Sequence, residues 1–67
     1  MNWTNSLEIA IALEETHPQI DPTNINFVDL QQFVSKLDEF EEGNSRCGER
    51  VLEAIQMHWI EEKNELH

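Results

Sequence analysis

Cysteine, basic side chains and long apolar runs are all scarce in this chain, and each scarcity removes a class of protein. Cys47 is the single thiol in 67 residues, so no internal disulfide forms. Small secreted domains normally carry several bridges, which makes a reducing compartment the expected setting. Four residues are Lys or Arg against fourteen Asp or Glu, a formal net charge of −10. Such a surface repels nucleic acid phosphates and anionic membranes, and it attracts cations or a basic protein patch. No apolar run approaches the about 20 residues of a membrane helix. No signal peptide precedes the first polar residues, so a cytoplasmic protein with no membrane contact is expected. Gly-rich phosphate loops, CxxC, HExxH and GxSxG patterns are missing too. Carboxylates abound, but nothing in the pattern suggests a pocket to perturb them. Catalysis is therefore not expected.

What is present suits a single small domain. The hydrophobic fraction is 39%, enough for a core. A chain this short buries only roughly 60% of its unfolded surface, so nearly every large apolar residue must be used. There are no internal repeats, low-complexity tracts or linkers.

The apolar spacing predicts an all-α, three-helix domain. The central stretch is FVDLQQFVSKLDEFEE, in which Leu30, Phe33, Val34 and Leu37 fall at i, i+3, i+4 and i+7. That spacing places them on one helical face. This second helix is expected from about Val28 to Leu37 or Phe40, with Asp29 in its first turn, where a negative charge is favoured. Ahead of it, a first helix runs from Ser6 to about Thr16. Asn5 and Glu8 read as a capping box, and Ile9, Ala12 and Leu13 as the buried face. Leu7 and Ile11 make a second apolar pair one turn apart, either embedded or an exposed contact edge. Glu8, Glu14 and Glu15 read as solvated. Pro18 ends the helix after His17. Asp21-Pro22 signals a turn between Ile20 and Ile25, two residues expected to plug the core, with a short extended piece at Ile25 to Phe27 allowed. Gly43-Asn44-Ser45 breaks the chain, and Asn44 or Ser45 can cap a third helix over Cys47 to Lys63. Its inward residues are Val51, Leu52, Ile55 and Trp59. Trp3 reads as N-terminal packing, and Asn64 to His67 are expected to fray.

Chemistry concentrates in Asp38, Glu39, Glu41 and Glu42, four carboxylates in five positions interrupted by Phe40. Acids at a helix C-terminus oppose its dipole, and four like charges repel one another. A repulsive cluster that folding does not need is a candidate for binding cations, and hard cations such as iron accept oxygen ligands. The spacing matches no EF-hand loop, so a site there would be shallow, hydrated and weak. The same residues equally suit a solvated surface that keeps a small protein soluble. A second acidic group, Glu61, Glu62 and Glu65, lies beside His58 on the last helix. There an ordinary surface pairing is the simpler reading. Cys47 reads as a passive thiol.

The ordered set of residues is similar to a known family over nearly the whole chain. It runs Trp3-Thr4, Ser6, Glu8-Ile9, Ala12-Leu13, Pro18 and Asp21-Pro22. It continues through Phe27, Asp29, Leu37 and Phe40 to Leu52-Glu53-Ala54-Ile55 and Trp59. Together these resemble the IscX family, small acidic accessory proteins of bacterial iron–sulfur cluster assembly. The resemblance implies a modified winged-helix fold and a monomeric, non-enzymatic adaptor. It also implies binding to a cysteine desulfurase through the acidic surface, in competition with frataxin and ferredoxin, and weak iron binding with no tightly held cofactor. Asp38, Glu39, Glu41 and Glu42 carry over as partner-binding and iron-binding residues. Glu61 and Glu62 join them for the partner, with Asp29 as a further candidate. An iron donor or metal buffer is the alternative reading. The chain departs from the family pattern at Leu7 and Ile11, where polar residues are usual, and at Phe33, where tryptophan is familiar. Gly43-Asn44 shortens the acidic run, which bears on iron more than on a protein partner.

Overall fold

A computed structural model, described over residues 1–41 and 47–65, contains three α-helices: α1 (Ser6–Thr16), α2 (Phe27–Ser35) and α3 (Glu49–Glu65). The all-α class read from the periodicity is what is found. Among the described residues there is no strand, so the winged-helix expectation is met only in its helical part. Of the extended piece allowed at Ile25 to Phe27, Asn26 is extended as the cap of α2, and Phe27 already belongs to the helix.

One core unites the helices. α1 contributes Ile9, Ala10 and Leu13, α2 contributes Leu30 and Val34, and α3 contributes Leu52, Ile55 and Trp59. Trp3 and Leu37 close it from outside the helices. The buried face of α1 is rotated relative to the expected one. Ala10 is fully buried and Ala12 only partly, because the face is centred on positions 9, 10, 13 and 14. Leu7 and Ile11 consequently stay outside, 50% and 37% exposed. Of the two readings of that edge, the exposed one holds.

Glu14 corrects the reading of α1 as a helix whose glutamates are all wet. It is 6% exposed and packed against α3. Its Oε1 accepts a hydrogen bond from the indole Nε1 of Trp59 at 3.0 Å, and the Lys63 ammonium stands 3.0 Å from the same oxygen. Lys63 also donates to the Pro18 carbonyl oxygen at 2.7 Å. That oxygen lies just past the C-terminus of α1, where a cation is favoured by the helix dipole. A buried carboxylate is tolerated because it is paired and hydrogen-bonded. The C-terminal ends of α1 and α3 are thereby joined.

The helix termini differ from expectation for local reasons. The Asn5 side chain does not cap α1; its Oδ1 accepts from the Asn2 backbone N–H at 3.0 Å instead, so no capping box with Glu8 forms. That bond closes the turn carrying Trp3. In α2 the cap is realised, with Asn26 Oδ1 accepting from Asp29 N–H at 2.8 Å. α2 stops at Ser35, two to five residues earlier than the stripe suggested. The Lys36 N–H is shared between the Gln32 and Val34 carbonyls, and turns follow through Leu37 and Phe40. Stopping there takes Asp38 and Glu39 off the helix end whose dipole they would oppose. α3 begins at Glu49, not Cys47. Leu52 N–H donates to the Gly48 carbonyl at 3.0 Å, which leaves Gly48 ahead of the helix, and Glu49 occupies the favourable first turn. The last helix persists through Asn64 and Glu65. The caps proposed at Asn44 and Ser45 lie outside the described residues.

The link between α1 and α2 folds as its residues dictate. Asp21 Oδ1 accepts from the Thr23 hydroxyl at 2.6 Å and the Thr23 N–H at 3.0 Å, and Oδ2 accepts from Asn24 Nδ2 at 2.8 Å. Pro22 is buried, Gln56 donates to its carbonyl at 2.8 Å, and Ile20 and Ile25 pack on the core.

Two outcomes follow. Glu14→Ala should destabilise the protein by about 1–3 kcal/mol in urea unfolding, since it leaves the Trp59 N–H buried without an acceptor. Glu14→Gln, which keeps an acceptor, should cost less. The Asp21 carboxyl titrates below its ordinary 3.8, held there first by the Thr23 hydroxyl and then by the Thr23 N–H. Its stabilising contribution is present above the ordinary carboxylate range and is lost as pH falls through the lowered value. An NMR titration should show the Asp21 value rising toward ordinary in Thr23→Val.

Candidate functional site

Between α2 and the N-terminal segment lies the turn that carries the acidic run. Two apolar side chains anchor it: Leu37, 8% exposed, and Phe40, half-buried. The Phe40 ring meets Trp3 edge-on, with centroids 4.7 Å apart and planes at 72°. This is a favoured aromatic geometry. Backbone bonds add to the anchorage. Glu41 N–H donates to the Met1 carbonyl at 2.7 Å, and the Met1 amino group donates to the Glu39 carbonyl at 3.0 Å. With the apolar residues turned inward, Asp38, Glu39 and Glu41 are left exposed. Among the described residues no lysine or arginine pairs with any of these three. Glu42 lies outside the described residues.

A cleft of about 190 Å³ opens beside this turn. Met1, Ala12 and Leu37 contribute apolar lining, and Glu15, Asp38 and Glu39 contribute carboxylates. Glu15, which the sequence marks only as a solvated residue, joins the acidic turn at this cleft. Its only signal was a place one turn beyond Ile11 on the same ridge, and nothing local foretold that the turn after α2 would come up against it.

Glu61 and Glu62 do not line the cleft. They sit near the end of α3, Glu61 exposed and Glu62 half-buried. The two successive glutamates of α1 look to different elements. Glu14 faces Trp59 and Lys63 of α3, while its neighbour Glu15 faces Asp38 and Glu39. Asp29 is exposed at the start of α2. Among the described residues, no group of three or more His, Cys, Asp or Glu side chains is placed to hold a metal ion. Asp38, Glu39 and Glu41 thus form a field of charge without a preformed coordination cage. No described helix is long and apolar enough to cross a membrane.

Anchorage by Phe40 is open to test. Phe40→Ala should cost about 1–3 kcal/mol, less than truncating a fully buried phenylalanine. Amide hydrogen exchange at Glu41 should accelerate far more than at Leu13.

Comparison with known proteins adds to this geometry. An uncharacterized protein of Pseudomonas aeruginosa is 53% identical over 64 residues, spanning 96% of this chain and 97% of its own length. A family model described as iron–sulphur cluster assembly matches residues 1–64. With its Trp3–Phe40 packing and its exposed acidic turn inside the matched region, the chain belongs to the iron–sulphur cluster assembly family.

Proposed function

We propose that the chain is a non-enzymatic adaptor of iron–sulfur cluster assembly, of the IscX type, that docks through its acidic surface on a basic patch of a cysteine desulfurase. The observation that carries this reading is the state of Asp38, Glu39 and Glu41. They are exposed, held on an anchored turn, and unpaired with any described lysine or arginine. Unneutralised carboxylates on an ordered support raise the rate of encounter with a positive partner and fix its orientation. Glu42, next in sequence, and Glu61 and Glu62 at the end of α3 extend the charge. Frataxin and ferredoxin, as proteins that use the same desulfurase surface, would compete with it. The cleft supports a binding role over catalysis, because about 190 Å³ falls short of the roughly 300–1,000 Å³ usual for small-molecule sites. Nucleic acid is disfavoured by the net charge of −10. A monomer in the cytoplasm fits the reading.

Iron enters only as a weakly held, hydrated cation attracted to the exposed acids in general, Asp38, Glu39, Glu41 and Glu42 among them. The absence of a preformed ligand group among the described residues supports weak attraction over a defined site. Neither a metal buffer nor an iron donor needs more than that attraction, but each needs it focused. Titration with ferrous iron should broaden NMR signals across all the exposed acids. Broadening confined to one cluster would favour the donor reading.

For the desulfurase, calorimetry should show binding weakened several-fold between low and physiological salt. Replacing Asp38, Glu39, Glu41 and Glu42 with their amides should abolish binding and leave the helical spectrum unchanged. Salt-insensitive binding, or binding by the amide variant, would remove the acidic turn from the interface.

A further inference from the structure

We propose that Leu7 and Ile11, with the cleft beside them, form a docking surface for a basic amphipathic segment of a partner protein, one of whose arginine or lysine side chains fills the cleft. This rests on the reading that the acidic side of the chain binds a protein, and it names the part that recognises the partner's sequence. Leu7, Ile11 and Glu15 stand at i, i+4 and i+8 on α1, a single ridge of the helix surface. The ridge begins with two exposed apolar side chains and ends in a carboxylate that lines the cleft. The cleft is too small for a typical small-molecule ligand and suits one long side chain. Its apolar lining of Met1, Ala12 and Leu37 matches a methylene stem, and Glu15, Asp38 and Glu39 match a cationic head.

Charge complementarity selects the occupant. A neutral or acidic segment would face these carboxylates without compensation, and a second copy of a chain with net charge −10 brings more of the same sign. Single exposed apolar residues need no explanation. Two of them one turn apart, leading into a cleft rimmed with acid, make a surface with both an apolar and a cationic requirement.

The test uses the whole chain, labelled with ¹⁵N, and a synthetic peptide in which arginine and leucine recur at helical spacing. A matched peptide carries citrulline in place of arginine. The arginine peptide should shift the amides of Leu7, Ile11, Ala12, Glu15, Asp38 and Glu39, and the citrulline peptide should bind about tenfold more weakly or worse. The double variant Leu7→Ser/Ile11→Ser, with an unchanged helical spectrum, should lose about tenfold in affinity for the arginine peptide. Shifts spread evenly over every acidic residue, equal binding of the two peptides, or full affinity in the double variant would each overturn the proposal. A parallel measurement with purified cysteine desulfurase separates the two readings. If the wild-type chain does not bind the enzyme but the peptide maps to the cleft, the desulfurase reading falls and the docking surface stands. If the enzyme binds wild type and double variant equally, the docking surface falls and the desulfurase reading stands.

Discussion

The carboxylate of Glu14 is the point on which the arrangement of α1 and α3 depends. It takes an indole N–H from Trp59 and an ammonium from Lys63, both contributed by the far half of α3. Such a buried group adds little net stability beyond what an apolar pair would supply, because desolvation offsets much of the attraction. Its effect here is on register. A slide of α3 by one turn, about 5.4 Å, would break this joint arrangement, because Trp59 and Lys63 stand one turn apart and Glu14 meets both only in the observed register. Apolar packing of Ile9, Leu13, Leu52 and Ile55 tolerates small displacements; the Glu14 bonds do not.

That register positions everything on the other side of α1. Glu14 and Glu15 are adjacent, so turning the first toward α3 turns the second away from it, toward the chain after α2. Leu37 and Phe40 meet the core and Trp3, and the acids between and beside them are pushed outward. The surplus of negative charge is therefore oriented by apolar contacts and two backbone hydrogen bonds, with no described ion pair on Asp38, Glu39 or Glu41. Charge held this way remains available to a partner. Lys63, in contrast, is taken up internally by Glu14 and the Pro18 carbonyl.

This division of labour explains how a chain of 67 residues can display repulsive charge on so small a core. Ending α2 at Ser35 keeps the acids at 38–41 out of the helix's last turn, where its dipole would add to their mutual repulsion. The exposed apolar edge at Leu7 and Ile11 lies on the ridge of α1 that ends in Glu15, at the cleft beside the turn after α2.

By itself the sequence determined the helices, most of the core and the location of the charge. Apolar spacing of 3.6 residues, the proline after His17 and the Asp21–Asn24 turn are local signals, and local physics reads them. Leu30, Val34, Leu52, Ile55 and Trp59 were legible as core for that reason. Tertiary structure decided the rest: the burial of Glu14, the loss of the Asn5 cap to Asn2, the end of α2 at Ser35, and the meeting of Glu15 with Asp38 and Glu39. Each of these depends on partners distant in the chain or on a competing bond. Trp59 and Lys63 lie more than forty residues beyond Glu14, and no periodicity within α1 distinguishes a glutamate that will meet an indole from one that will meet water.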